Sequence, residues 1–104
     1  MEHIELTCPS LAHPPALAET LLCGVVASGN LEILVHSQSD HSATHFKVAT
    51  AAHGFTEVWH AVLEDFAQRH PVGGLTFEIN DAGATPAVVS LRLDQTFQQW
   101  CQSR

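Results

Sequence analysis

Ser28 lies in Val26-Ala27-Ser28-Gly29-Asn30-Leu31-Glu32, flanked by small residues and a turn signal. A serine so placed is most often structural, because hydroxyls stabilise turns locally. It is also a hydroxyl projecting from a rigid scaffold, open to covalent modification. His36, His41 and His45, three of eight histidines, could gather round one loop and offer imidazole nitrogens to a metal. His36 and His45 fall on the polar alternation of their segments, and no cysteine joins them at ligand spacing. Solvated surface histidines are the simpler reading, so no metal site is assigned. The zinc-protease, nucleophile-elbow, phosphate-loop and dinucleotide motifs are absent. Asp81 has no second carboxylate at a spacing that demands a partner, and Asp40 sits in a polar loop. No catalytic residue is assigned.

Charge narrows the partners. Eleven acids against four bases give a net charge of −7 over 104 residues. Lys47, Arg69, Arg92 and Arg104 are scattered singly, so no basic face can neutralise nucleic acid phosphates or an anionic membrane. A basic protein surface is the better electrostatic match, with Glu32, Glu57 and Asp81 as candidate contacts. Cys8, Cys23 and Cys101 are odd in number and widely spaced, which argues for free thiols in a reducing compartment. No apolar run reaches the roughly 18 residues of a membrane span, and the N-terminus has no secretory pattern. A cytoplasmic location is expected.

The elements that must position these residues are legible in the patterning. An edge strand is expected near His3–Cys8, within an otherwise irregular segment 1–19 that holds Pro14-Pro15. Thr20–Ala27 is apolar on both sides, which suits a strand buried on both faces. Leu31, Ile33 and Val35 alternate with Glu32 and His36. Gly29-Asn30 between these two runs predicts a tight hairpin that pairs Ser28 with Leu31 and Val26 with Ile33. Thr44, Phe46, Val48 and Thr50 form another alternating strand. Phe55, Val58, Trp59, Val62, Leu63 and Phe66 fall on one stripe of a helix over 54–70, which Pro71 and Gly73-Gly74 end. Leu75, Phe77 and Ile79 alternate before a turn at Asn80–Gly83. Thr85 then caps a helix with Pro86 at its first position and Val89, Leu93, Phe97 and Trp100 on its apolar face. Trp59 and Trp100 read as core residues. The expected fold is α+β in the order β-β-β-β-α-β-α. It has a mixed or antiparallel sheet of four to five strands, a hairpin carrying the serine, and two helices on one face.

Three segments taken together resemble one family. Gly24-Val-Val-Ala-Ser-Gly-Asn-Leu-Glu-Ile33 is similar to the serine hairpin of the acyl carrier (delta) subunit of malonate decarboxylase. Gly54–Leu63 resembles that family's first helix. Leu75–Leu93, with Asn80-Asp81 and Gly83-Ala84-Thr85-Pro86, resembles its strand, turn and second helix. The likeness runs from about Leu22 to Trp100. The acyl carrier (gamma) subunit of citrate lyase is a more distant relative, and Gly83-Ala84-Thr85-Pro86 favours the malonate enzyme. Asn30 stands where many members are expected to carry Asp.

The resemblance implies a non-catalytic carrier formed by residues 1–104 as one domain. It implies that Ser28, flanked by Ala27, Gly29 and Asn30, carries 2′-(5″-phosphoribosyl)-3′-dephospho-coenzyme A through a phosphodiester. Acetyl and malonyl thioesters would then pass between acyltransferase and decarboxylase subunits, after a prosthetic-group transferase had loaded the chain. Tethering makes each encounter intramolecular and raises the effective concentration. The other readings are a citrate-lyase-type carrier, a small non-catalytic protein-interaction domain, and a histidine-based metal sensor.

Overall fold

The computed structural model describes residues 1–12, 20–24 and 31–102, with 20–24 described by backbone. In chain order the elements are β1 (Glu2–Pro9), β2 (Thr20–Gly24), β3 (Leu31–Ser37), β4 (Ala43–Thr50), α1 (Thr56–Arg69), β5 (Leu75–Asp81) and α2 (Pro86–Gln102). This is the order that the patterning predicts. The five strands form one sheet in the spatial order β1-β4-β5-β3-β2. β4 and β5 run parallel, with α1 as their crossover, and every other pairing is antiparallel, so the sheet is mixed.

Alternation along the strands creates the two faces. Leu31, Ile33 and Val35 of β3, Phe46 and Val48 of β4, and Phe77 and Ile79 of β5 are buried on the helical side. α1 and α2 close that side with Trp59, Leu63, Phe66, Val89, Leu93 and Trp100. Each such large side chain contributes about 1.5–3 kcal/mol when fully buried. Phe66 stands edge-on to Phe46, Phe77 and Phe97, at centroid distances of 6.2, 5.4 and 6.5 Å. The opposite face is polar, with Glu5, Lys47, Glu78 and Leu34 in one cross-strand row.

Three expectations need correction. β2 and β3 do pair antiparallel, but Ile33 lies opposite Cys23, not Val26, and Gly24 lies opposite Glu32. The register is therefore shifted by three residues from the expected one, and the expected two-residue turn itself lies outside the described residues. The run from Thr20 to Ala27 has no polar alternation, and a strand without a polar face leaves its register unspecified in the sequence. Second, β5 continues to Asp81, because Leu31 and Thr50 pair with that residue on its two sides. Third, the α1 stripe overshoots the core. Trp59, Leu63, Phe66 and Ala67 are buried, whereas Phe55 is 51% and Val58 39% exposed.

β1 is a regular eight-residue edge strand, paired to β4 from Glu2 opposite Thr50 to Pro9 opposite Ala43. Its continuation fastens the far end of α1. The Ser10 hydroxyl lies 3.1 Å from the Ala67 carbonyl and 3.0 Å from the His70 carbonyl, and accepts from Val72 N–H at 3.0 Å. Gly73 donates to the Leu11 carbonyl at 2.7 Å. A Cβ on Gly73 would fall 2.7 and 2.9 Å from the carbonyl oxygens of Ser10 and Leu11 and against that of His41. Only glycine allows the chain to pass so close.

Candidate functional site

Ser28, Ala27, Gly29 and Asn30 lie outside the described residues. The strand ends on either side of them are fixed. Gly24 pairs with Glu32, and Leu31 pairs with Asp81, which pairs in turn with Thr50. The chain therefore leaves β2 and enters β3 at the end of the sheet where β4 and β5 terminate. Register-paired residues lie about 5 Å apart, so Asp81 is the immediate neighbour of Leu31.

Asp81 organises this end. It is 4% exposed. Its Oδ2 accepts from Thr50 Oγ1 at 2.7 Å, and its Oδ1 accepts from the Gly83 and Ala84 amides at 3.1 and 2.7 Å. Its own carbonyl accepts from Ala51 N–H at 2.9 Å. One carboxyl group thus ties β4 to β5 and bends the chain toward α2. Gly83, at φ +120°, is the residue that can take this bend. Thr85 Oγ1 then accepts from Val88 N–H at 3.3 Å, and Pro86 opens the helix as the sequence predicts. Asp81 is accordingly no surface acid for a partner to read, which corrects the expectation for that residue. Glu32 and Glu57 are exposed as expected.

Between the first turns of α1 and α2 a cavity of about 290 Å³ opens. Phe55, Val58, Trp59 and Val62 form its α1 wall, and Pro86 and Val89 face them from α2. Asp81, Gly83 and Ala84 line it at the sheet end, and Ala52 closes another side. The room comes from small residues: a Cβ added at Gly83 would meet nothing within 4 Å. None of the lining residues is cationic. The first turn of α1 is unusual here. Its N-cap is Phe55, with no side-chain hydrogen bond to the orphan amides, where a serine, threonine or aspartate would stabilise the helix. Periodicity hid this cavity, since an apolar stripe does not reveal what covers it. The apolar residue at the helix start was the available signal.

Among the described residues the histidines are not brought together. His36 Nε2 pairs with Glu78 Oε2 at 3.0 Å and His45 Nδ1 with Thr7 Oγ1 at 2.9 Å, each on the polar face of the sheet. His70 Nε2 lies 3.0 Å from Asp94 Oδ1, joining α1 to α2 beside the Arg69–Asp94 contact at 3.1 Å. Among the described residues no three metal-ligating side chains form a group. Cys8 is buried, and burial, followed by the nearby Glu64 charge, raises its thiol pKa. It is not an activated nucleophile.

The cavity walls are apolar apart from Asp81 and Thr85. Comparison with known proteins gives the chain a family. The family model described as malonate decarboxylase delta subunit (MdcD) matches residues 18–100. A malonate decarboxylase acyl carrier protein of Stenotrophomonas maltophilia R551-3 is 48% identical over 98 residues, 94% of this chain and 92% of its own. That of Xanthomonas euvesicatoria is 55% identical over 80 residues, 77% of this chain and 76% of its own. A chain in the crystal structure of a Pseudomonas malonate decarboxylase hetero-tetramer in complex with malonate superimposes with a TM-score of 0.78. It is 31% identical, with 95% of this chain and 98% of that one covered. The chain belongs to the malonate decarboxylase delta subunit family, the acyl carrier subunit rather than a catalytic one.

Proposed function

We propose that residues 1–104 form one carrier domain whose Ser28 hydroxyl holds 2′-(5″-phosphoribosyl)-3′-dephospho-coenzyme A through a phosphodiester, with Ala27, Gly29 and Asn30 leaving room for the loading transferase. When bound, the group would supply a thiol that holds acetyl or malonyl as a thioester between the acyltransferase and decarboxylase subunits. The observation that carries the reading is positional. Among residues 25–30, which join β2 to β3, Ser28 is the one hydroxyl, and the flanking strands are anchored by pairing on Asp81 and Glu32. A fixed base and a long tether give each partner site a high local concentration of the carried group.

This chain's own residues contribute support and access, not proton transfer. The Asp81 hydrogen bonds hold the strand end beside Leu31 rigid. The exposed acids, Glu32 and Glu57 among them, suit basic partner surfaces and raise encounter rates. Among the described residues no helix is long and apolar enough to cross a membrane, and a cytoplasmic assembly is the setting proposed.

The test is intact mass spectrometry of the full chain co-produced with its decarboxylase subunits and modifying enzymes. A single large increment is expected on the wild-type chain and none on Ser28→Ala, with thermal stability expected to be unchanged. An increment that persists in Ser28→Ala places the anchor elsewhere.

A further inference from the structure

The two margins of the sheet are unlike. β1 closes one side and carries Glu2, Glu5 and Pro9, the charges and proline that keep other chains off an open edge. β2 closes the other side with Thr20-Leu-Leu-Cys-Gly24. Alone among the five described strands it holds no charged residue, no histidine and no proline. Among the described residues β3 is its one strand neighbour. Along such an edge alternate residues turn N–H and C=O outward, and those groups fit an extended chain.

The register sets what that chain must carry. Leu21 and Cys23 stand opposite Val35 and Ile33, which are buried on the helical side, and Leu22 stands opposite Leu34 on the open side. An added strand therefore meets apolar positions on both faces. Gly24 stands opposite Glu32, which is exposed, with Asn80 Nδ2 3.5 Å from its Oε1. Glycine puts no side chain between, so a lysine or arginine on the added strand faces Glu32 across about 10 Å, two strand spacings. From this arrangement we propose that the outer edge of β2 docks an extended strand of a partner subunit, apolar at its centre and basic opposite Gly24, by strand addition. This rests on the carrier reading given above, which supplies the partners. A second copy of this chain is the poorer match. Paired about Leu22, it sets Thr20 opposite Gly24, brings no cation to Glu32, and joins two chains of net charge −7, whose repulsion opposes association.

The experiment mixes the full chain with its acyltransferase and decarboxylase subunits and reads hydrogen exchange by mass spectrometry on peptides covering β1 and β2. In the chain alone the outward amides of β2 are expected to exchange fast. Assembly should slow about two or three of them, the share of five alternating residues that turns outward, and leave β1 unchanged. Leu22→Lys sets a charge on the edge and should weaken assembly about tenfold. Glu32→Ala removes the acid and should weaken it about twofold to fivefold, as loss of an exposed ion pair does, an effect that high salt should erase. Outward β2 amides that stay fast in the complex overturn the proposal. So do β2 amides already slow in the chain alone at every dilution, which the chain itself covers, and protection that grows with the concentration of the chain alone, which marks a second copy. Protection on assembly with both variants binding like the wild type overturns it as well. The wild-type exchange decides even if Leu22→Lys fails to fold. A complex that forms without slowing β2 removes this edge and leaves the carrier reading standing, and a chain that joins none of these subunits removes both. The mass increment judges Ser28 separately.

Discussion

Thr50 Oγ1 donates a 2.7 Å hydrogen bond to Asp81 Oδ2, joining the last residue of β4 to the last residue of β5. Both residues are buried, and the same carboxyl group holds the Gly83 and Ala84 amides. Asp81→Ala orphans all three donors at once, so a loss of about 3 kcal/mol in urea unfolding is expected. Thr50→Val removes one donor and should cost about 1–2 kcal/mol. Equal, near-zero costs for both would show that the interaction does not organise this end of the sheet.

The uncapped start of α1 gives an opposite sign. Phe55 is half exposed and satisfies no orphan amide. Phe55→Ser should therefore stabilise the protein by about 0.5–1 kcal/mol, read as a raised denaturation midpoint. A destabilised variant would show that Phe55 packs for the fold's sake.

Cys8 makes stability fall in alkaline solution. Burial raises its folded pKa, whereas the unfolded thiol ionises near 8.5. Below that value both states are protonated and the full stability is present. As pH rises toward the folded pKa, the unfolded chain loses a proton that the folded one keeps, and stability declines. The urea midpoint of the wild type should drop above about pH 8.5, with a shallower drop in Cys8→Ala. Peptide mapping after brief alkylation at neutral pH should find Cys8 unmodified until denaturant is added.

Gly73 and Ser10 hold the N-terminal strand to the end of α1. Gly73→Ala forces a methyl against backbone carbonyls that cannot swing aside, and a cost of about 3 kcal/mol is expected. Ser10→Ala loses the hydroxyl that Val72 donates to and should cost about 1–2 kcal/mol. Thermal melts of the two variants test this, and a neutral Gly73→Ala would mean that the crossing opens readily.

Much of the architecture was legible because alternation and helical stripes report burial directly. Leu31, Ile33 and Val35, Phe46 and Val48, and Leu63, Phe66, Leu93 and Trp100 all occupy the core positions that their spacing predicts. What was not legible depended on partners distant in the chain. Cys23 opposite Ile33 could not be read from a run apolar on both sides. The buried role of Asp81 depends on Thr50, 31 residues earlier, so its charge alone suggested a surface contact. The cavity depends on where α2 begins relative to Phe55 and Val58, which no single helix pattern encodes. Ser28 itself was singled out by family likeness, since a turn serine carries no signature of its own.

Strand β1 meets its neighbour β4 from more than thirty residues away in the chain, and it is the outermost strand on its side of the sheet. Removing residues 1–10 would strip β4 of that neighbour and leave a bare row of amides and carbonyls beside Phe46 and Val48. Such a margin is a ready template for stacking onto other chains. A shortened form is therefore expected to self-associate more readily than the whole chain, whose outer strand carries Glu2, Glu5 and Pro9.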